Sequence, residues 1–368
     1  MHVYVHIPFC ARRCSYCDFA IAVRRRTPAR EYLDAVLREW RSWLDHPAVA
    51  GSPETATIYL GGGTPSRLAP DVLAELVARI RSDRPAAGSA EVTLEANPDD
   101  VTPIAARGWL AGGINRVSLG AQSFSPAALG WMHRTHTADQ IGRAVNSLRD
   151  AGAGNISLDL IYGLPDEVPR NWEADLDAAL GLEPEHISLY GLTVEPRTPL
   201  ARWTARGSAA LPSEARAEEE YLRAHRRLAG AGYVHYEVSN AARPGFFSRH
   251  NQAYWERKPY LGLGPSAHSQ LGTTRSWNLP AWEEYRRTVL AGGSPVQGSE
   301  SLTPDQVGLE ELYLSLRTLK GVPELRLDPT LTAQWVAAGW AVRESGRVRL
   351  TVLGWLRLDP LVAGVTHC

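Results

Sequence analysis

Six short apolar or alternating runs, at residues 2–7, 55–61, 91–97, 116–121, 155–163 and 186–192, punctuate the first half of the chain. They return at intervals of roughly 30 residues, the length of a strand–helix–strand unit. Helix-period segments fill the gaps. After Thr27 and Pro28, a cap with proline at the first helical position, Tyr32, Leu33, Val36, Leu37, Trp40 and Leu44 share one helical face. Val72, Leu73, Leu76, Val77 and Ile80 repeat the pattern, followed by Ile141, Val145 and Leu148, then Leu176 and Leu180. Strands separated by helices pair in parallel, so an α/β fold follows: an open or partial, TIM-like (β/α)6 barrel. Functional groups are then expected at the carboxyl ends of the strands.

Beyond about residue 200 the rhythm changes. Residues 213–231 read as a helix, 236–240 (YEVSN) as a short strand, and 260–269 (YLGLGPSAHS) as a Gly/Pro-rich stretch. A linker at 291–304 precedes a last module in which Leu309, Leu312, Tyr313, Leu316 and Leu319 line one helix face. A second helix around 328–339 and the alternating 346–351 (GRVRLT) complete it, predicting a small helical, winged-helix-like unit. The expected division is a barrel over 1–240, a connecting segment over 241–300, and the terminal module over 301–368.

A net charge of -1 gives no footprint for nucleic acid, and no run approaches the ~20 apolar residues of a membrane span. The amino terminus MHVYVHIPFC lacks a basic segment followed by an apolar core, so no export signal is expected and the chain belongs in a reducing cytoplasm. Clustered cysteines there mean metal or redox chemistry rather than disulfides. Lys258 and Lys320 are the only lysines, which leaves little room for a lysine nucleophile.

Three of the four cysteines, Cys10, Cys14 and Cys17, stand as C-x3-C-x2-C at the end of the first strand. Such a loop can present three thiolates to a [4Fe-4S] cluster and leave one iron for another ligand, as a reactive site needs. Zinc is the rival occupant, and it would want a fourth ligand. His6 could serve but alternates as a packed strand residue, and Cys368 closes a distant tail expected to fray.

Further polar or flexible groups end the later strands. Gly62, Gly63 and Thr64 lie in LGGGTPSRL, where consecutive glycines let backbone N–H groups approach a ligand, or merely form a turn. Glu95 ends the third strand in LEANP, as a cap, an ion-pair member or a site carboxylate. Gln122 ends the fourth, Arg134 sits in MHRTH, and Asp159 lies within SLDLIYG. A charge inside an apolar strand costs free energy unless paired or facing a site, so Asp159 is expected in the barrel interior. In HNQAYW, His250 can ligate haem iron while Tyr254 and Trp255 stack on a flat macrocycle, or the cluster is simply core.

The cysteine spacing, with Tyr16 before the last cysteine, resembles the radical S-adenosylmethionine superfamily. The segments YVHIPFC, GGGTP, EANP, GAQSF, RTH and DLIYGLP resemble, in order, its coproporphyrinogen dehydrogenase-like branch. That resemblance implies a [4Fe-4S] cluster on Cys10, Cys14 and Cys17 whose open iron is chelated by S-adenosylmethionine. It implies cofactor contacts from Tyr4, Tyr16, Gly62, Gly63, Thr64, Glu95, Gln122, Arg134 and Asp159. The branch's porphyrinogen oxidases carry another Cys two positions after the third, where this chain has Phe19, and a longer segment before the cluster motif. Both departures are similar to its haem chaperone branch, whose H-N-x-x-Y-W signature matches His250, Asn251, Tyr254 and Trp255. The resemblance implies haem binding and transfer to an acceptor protein, with an electron donor if the cluster is reduced. His133, His136, His235 and His268 stay as further haem-ligand candidates, and membrane contact is expected only at the periphery through an acceptor. The other expectation is a radical enzyme, either an oxidative decarboxylase of a porphyrinogen propionate or a methyltransferase.

Overall fold

The computed structural model describes residues 1–52, 54–84 and 86–365; Cys368 lies outside the described residues. Strands β1 (His2–Ile7), β2 (Thr55–Gly62), β3 (Ala86–Ala96), β4 (Arg116–Gln122), β5 (Ile156–Tyr162) and β6 (His186–Gly191) lie side by side in chain order. Each neighbouring pair is parallel. Helices α1 (Ala29–Trp43), α2 (Pro70–Asp83), α3 (Pro103–Ala111), α4 (Ala138–Asp150) and α5 (Trp172–Gly181) make the crossovers, and α6 (Glu214–Gly230) follows β6. The helix at Thr27-Pro28 starts one residue later than expected: Pro28 occupies the cap itself, without a side-chain hydrogen bond.

The period of two decides what each sheet face does. Val3, Val5, Ile7, Ile58, Leu60, Val92, Leu94, Val117, Leu119, Leu158, Leu160 and Leu189 are buried in one core with Tyr32, Val36, Trp40, Leu73, Leu76 and Leu148 of the helices. Each such side chain contributes about 1.5–3 kcal/mol through burial, which holds the helices on that face. The alternate positions fall on the opposite face, where they are polar or aromatic. Tyr4 pairs with Tyr59, Glu95 with Ser118, and Asp159 with Ser188 across neighbouring strands. Asp159 thereby occupies the barrel interior.

Past residue 230 the chain contributes more sheet than its sequence suggests. At one edge β7 (Val234–Glu237) pairs antiparallel with β8 (Asn240–Ala242), and β8 pairs antiparallel with β6, in place of one strand over 236–240. At the other edge β9 (Tyr260–Leu263) pairs parallel with β1, and β10 (His268–Leu271), β11 (Thr274–Asn278) and β12 (Val296–Ser301) extend it antiparallel. Glycines disguise these strands. At Gly262 a Cβ would collide with the His268 carbonyl, so the close approach of β9 and β10 forbids a β-branched residue there. Helices α7 (Arg249–Trp255) and α8 (Trp282–Leu290) complete this segment. Buried Glu39 of α1 ties it down, accepting from Gly264 N (2.8 Å), Asn278 Nδ2 (2.6 Å) and Tyr285 Oη (2.5 Å).

A second core joins Leu312 and Leu316 of α9 (Pro304–Leu316), Trp335 of α10 (Pro329–Ala337), Val322, Val348, Leu350 and Trp355. Its three-stranded sheet orders β13 (Val322–Pro323), β15 (Arg347–Leu350) and β14 (Ala341–Glu344). Backbone bonds Val238 N to Arg317 O (2.9 Å) and Leu319 N to Tyr236 O (3.1 Å) fasten it to the barrel edge.

Candidate functional site

At the carboxyl ends of the barrel strands lies a cavity of ≈ 400 Å³ that collects most of the residues singled out from sequence. Cys10, Cys14, Tyr16, Cys17, Gly62, Gly63, Thr64, Glu95, Gln122, Arg134 and Asp159 all line it. Positions from 10 to 159 converge there because each parallel strand delivers its last residues to the same rim.

The cysteine loop is closed by a two-residue parallel pairing, Phe9 with Ala22 and Cys10 with Val23. Ser15 pins its middle, donating from N to Met132 O (3.2 Å) and accepting at O from Leu200 N (2.8 Å). Thr64 Oγ1 donates to Cys10 Sγ at 3.4 Å, and Arg134 Nη1 lies 3.6 Å from Cys14 Sγ. Burial pushes the Cys10 thiol up, against the Thr64 hydrogen bond, and pushes Cys17 up to about 11. A bound iron cation reverses that preference, because coordination deprotonates the thiol outright. His6 does not complete a metal site: Tyr4 Oη lies at 3.0 Å from its Nδ1, and its Nε2 meets Ala20 O at 2.9 Å. Among the described residues no group of three His, Cys, Asp or Glu side chains is arranged around a single ion. Cluster thiolates bind different irons, so they have no need of that crowding.

Each glycine of the run answers a close approach. A Cβ at Gly62, where φ is +111°, would sit 2.6 Å from the His6 ring, and one at Gly63 would sit 2.6 Å from the Pro8 carbonyl carbon. Gly62 N donates to Glu95 Oε2 (3.0 Å), and Tyr59 Oη donates to Glu95 Oε1 (2.8 Å). Burial raises the Glu95 carboxyl to about 7, with these two hydrogen bonds opposing. Asp159 is also raised by burial, opposed by Ser188, Arg116 and Ser118. Gln122 holds φ +66° beside a register break in β4, which turns its side chain into the cavity. Gly62→Ala is expected to lower the denaturation midpoint, costing about 1–3 kcal/mol. It should also weaken S-adenosylmethionine binding at least about tenfold in calorimetry; unchanged affinity would contradict the role given to this turn.

Arg134 donates through Nη2 to Asn97 Oδ1 (2.6 Å) and Gly120 O (2.9 Å), while its buried Nε has no partner among the described residues. Such an orphaned cationic donor in the same cavity as the Glu95 carboxyl suits a ligand bearing both a carboxylate and an amine. Asn97, Ser118, Tyr59 and Ser188 support the site and were passed over in the sequence. Their signal is their place at alternate positions of strands whose other face is apolar.

Other expected residues lie elsewhere. Tyr4 lines a neighbouring cavity and reaches the main site through its ring contact with Tyr59, 6.1 Å between centroids. His250 is 1% exposed, and both ring nitrogens are engaged, Nδ1 with Thr57 Oγ1 (2.6 Å) and Nε2 with Tyr254 Oη (2.9 Å). In this arrangement neither nitrogen is available to iron. Thr57 also meets His2 Nδ1 at 2.9 Å, so His250 closes a buried polar chain at the amino-terminal half of the barrel. Tyr254 lines the same cavity as Tyr4, whereas Trp255 lines a cleft beside the terminal module, 4.8 Å from the Arg317 guanidinium carbon. Asn251 is half-buried on the first turn of α7. The expected single haem-binding patch therefore divides: residues i and i+4 stack on one helix face, and the next residue points about 100° away. His133 lines the main cavity, His136 bonds Ala121 O (3.1 Å), and His235 stacks on His225.

The model of the radical SAM superfamily matches residues 4–179. The chain is 38% identical to the heme chaperone HemW of Mycobacterium tuberculosis, over 98% of this chain and 93% of that protein. It is 35% identical to the heme chaperone HemW of Bacillus subtilis, over 88% and 85% respectively. The chain belongs to the HemW family of radical SAM proteins. Coproporphyrinogen III oxidase (HemN) from Escherichia coli has the same fold, with a TM-score of 0.81 over 100% of this chain and 90% of that one at 23% identity. Membership in the family brings a [4Fe-4S] cluster and S-adenosylmethionine, which together supply one-electron chemistry at a sulfonium centre. The three cysteines, the glycine turn and the orphaned Arg134 Nε fit that pair.

Proposed function

We propose that this protein binds haem and passes it to an acceptor protein. The observation that carries the reading is the near full-length likeness to proteins named heme chaperones. Cys10, Cys14 and Cys17 hold the cluster. Gly62, Gly63, Thr64, Glu95, Gln122, Arg134, Asp159 and Tyr16 hold S-adenosylmethionine, with Tyr4 supporting them through Tyr59. The bound cofactor gates or supports haem handling, and an electron donor reduces the cluster if the cofactor is cleaved. Residues 1–240 form the barrel, 241–300 extend its sheet and carry His250, Asn251, Tyr254 and Trp255, and 301–368 form the terminal module. No helix among the described residues is long and apolar enough to cross a membrane, and the carrier works in the cytoplasm, touching a membrane only through its acceptor.

Adding haem to the purified protein is expected to produce a saturable Soret band at about one haem per chain. Haem is then expected to move to an apo-acceptor. A featureless titration, or anaerobic turnover of coproporphyrinogen III with S-adenosylmethionine and a reductant, would reverse the assignment.

A further inference from the structure

Between the cysteine loop and the strands added beyond β1 lies a second cavity, of ≈ 350 Å³, that opens to solvent. Its walls include Phe19, Tyr254, Tyr260 and His268. We infer, resting on the haem-carrier reading, that haem occupies this cavity and that His268, not His250, ligates its iron.

The two histidines of the cavity differ in availability. Both nitrogens of His6 are bonded, to Tyr4 and to Ala20. His268 is exposed, and neither ring nitrogen has a hydrogen-bond partner among the described residues. Partial burial lowers its basicity, so the imidazole is neutral near pH 7, the form that binds iron. Its backbone is fixed rather than mobile. His268 opens β10 after a turn with Gly264 at φ +96° and Ser266 at φ +61°, and it packs against β9 where only glycine fits at 262.

The remaining walls suit a flat macrocycle. Phe19 is 58% exposed, an unusual cost for an aromatic ring and one that a covering ligand removes. Tyr254 and Tyr260 meet edge to face at 4.6 Å and form a broad aromatic corner. Among the described residues no lysine or arginine lines the cavity, so the propionates project outward into solvent. A half-open site of this size, at the small end for ligand pockets of roughly 300–1,000 Å³, retains haem by one face and releases it readily. His250 thereby acquires a positioning role: its Nε2 fixes the Tyr254 hydroxyl from behind. Asp18 and Phe19 line both this cavity and the cluster cavity, so the cysteine loop forms a wall common to cluster and cargo.

Haem titration of the full chain, read by Soret position and ferric electron paramagnetic resonance, tests the assignment. His268→Gly is expected to shift the Soret band and weaken binding at least about tenfold, with added imidazole restoring the parent spectrum. His268→Tyr should give a high-spin ferric spectrum, and His250→Ala should keep the imidazole-ligated signature. If His268→Gly retains both spectrum and affinity, or if His133→Ala alone removes the imidazole signature, the His268 assignment is overturned while haem binding stands. If the unmodified chain takes up no haem, the carrier reading fails with it.

Discussion

Simultaneous replacement of Cys10, Cys14 and Cys17 by alanine is expected to reduce the iron content of anaerobically reconstituted protein from about four per chain to near zero. On the proposed assignment the three thiols are the cluster's protein ligands; His6 is bonded elsewhere, and among the described residues no group of three His, Cys, Asp or Glu side chains is arranged to replace them. The chain itself should survive. The loop's backbone anchors at Ala22, Ser15 and Arg24 do not use the sulfur atoms, and the strand core of Val3, Val5 and Ile7 faces the helices. Far-ultraviolet circular dichroism and the unfolding midpoint of the cluster-free protein are therefore expected to match those of the cluster-free parent. S-adenosylmethionine affinity is expected to fall as well, because on the proposed assignment the cofactor would lose its iron contact and keep only its contacts with the protein. Iron counting that still returned several irons per triple variant would remove the cluster from this loop.

Stability of the cluster-free protein should depend on pH in an unusual way. Burial raises Glu39, Glu95 and Glu237 to about 7, so the folded state holds up to three protons that the unfolded chain has shed above about pH 5. Burial acts in the opposite sense on histidine, lowering His2 and His136 to about 4, His235 and His250 to about 3, and His186 well below its usual value. These five stay neutral in the fold while the unfolded chain protonates them near pH 6.5. Below about pH 6 the unfolded state gains one to two more protons than the folded state, so acidification costs about 1–3 kcal/mol per pH unit. Above about pH 7 the carboxyls ionise in the fold, and stability drifts down again with rising pH. Urea unfolding across pH 5 to 8 is expected to show a maximum near neutrality with a steep acid side. His235→Phe, which removes a buried imidazole whose Nε2 lacks a partner among the described residues, should flatten the acid side by about one proton. A profile that rises steadily toward pH 5 would contradict this balance.

The order of strands and helices up to residue 192 was legible because two periods, 2 and 3.6, were written into consecutive segments. The cost of a charge inside an apolar strand pointed Asp159 toward the barrel interior, where it lines the cavity. The strands after residue 230 were hidden for a local reason. Gly262 and Gly264 serve close backbone approach, and glycine in a strand erases the pattern by which strands are recognised. Arg134 and Asn97, 37 positions apart, gave no sign that they would bond, since nothing in local propensity encodes a tertiary partner.

The haem motif marks the boundary most sharply. His, Tyr and Trp at 250, 254 and 255 read equally as a metal ligand with stacking rings or as plain core, and only the family resemblance pointed to haem. Local sequence settled that three thiols would share one loop beside a glycine turn, because residues so near in the chain need little closure entropy to meet. Tertiary packing decided that His250 has both nitrogens engaged while His268 has neither engaged among the described residues. Thr57, distant in sequence, occupies one side of His250, whereas the turn after Gly264 leaves His268 at a cavity wall. Ligand availability depends on what lies opposite a side chain in space, and that is a property of the assembled barrel.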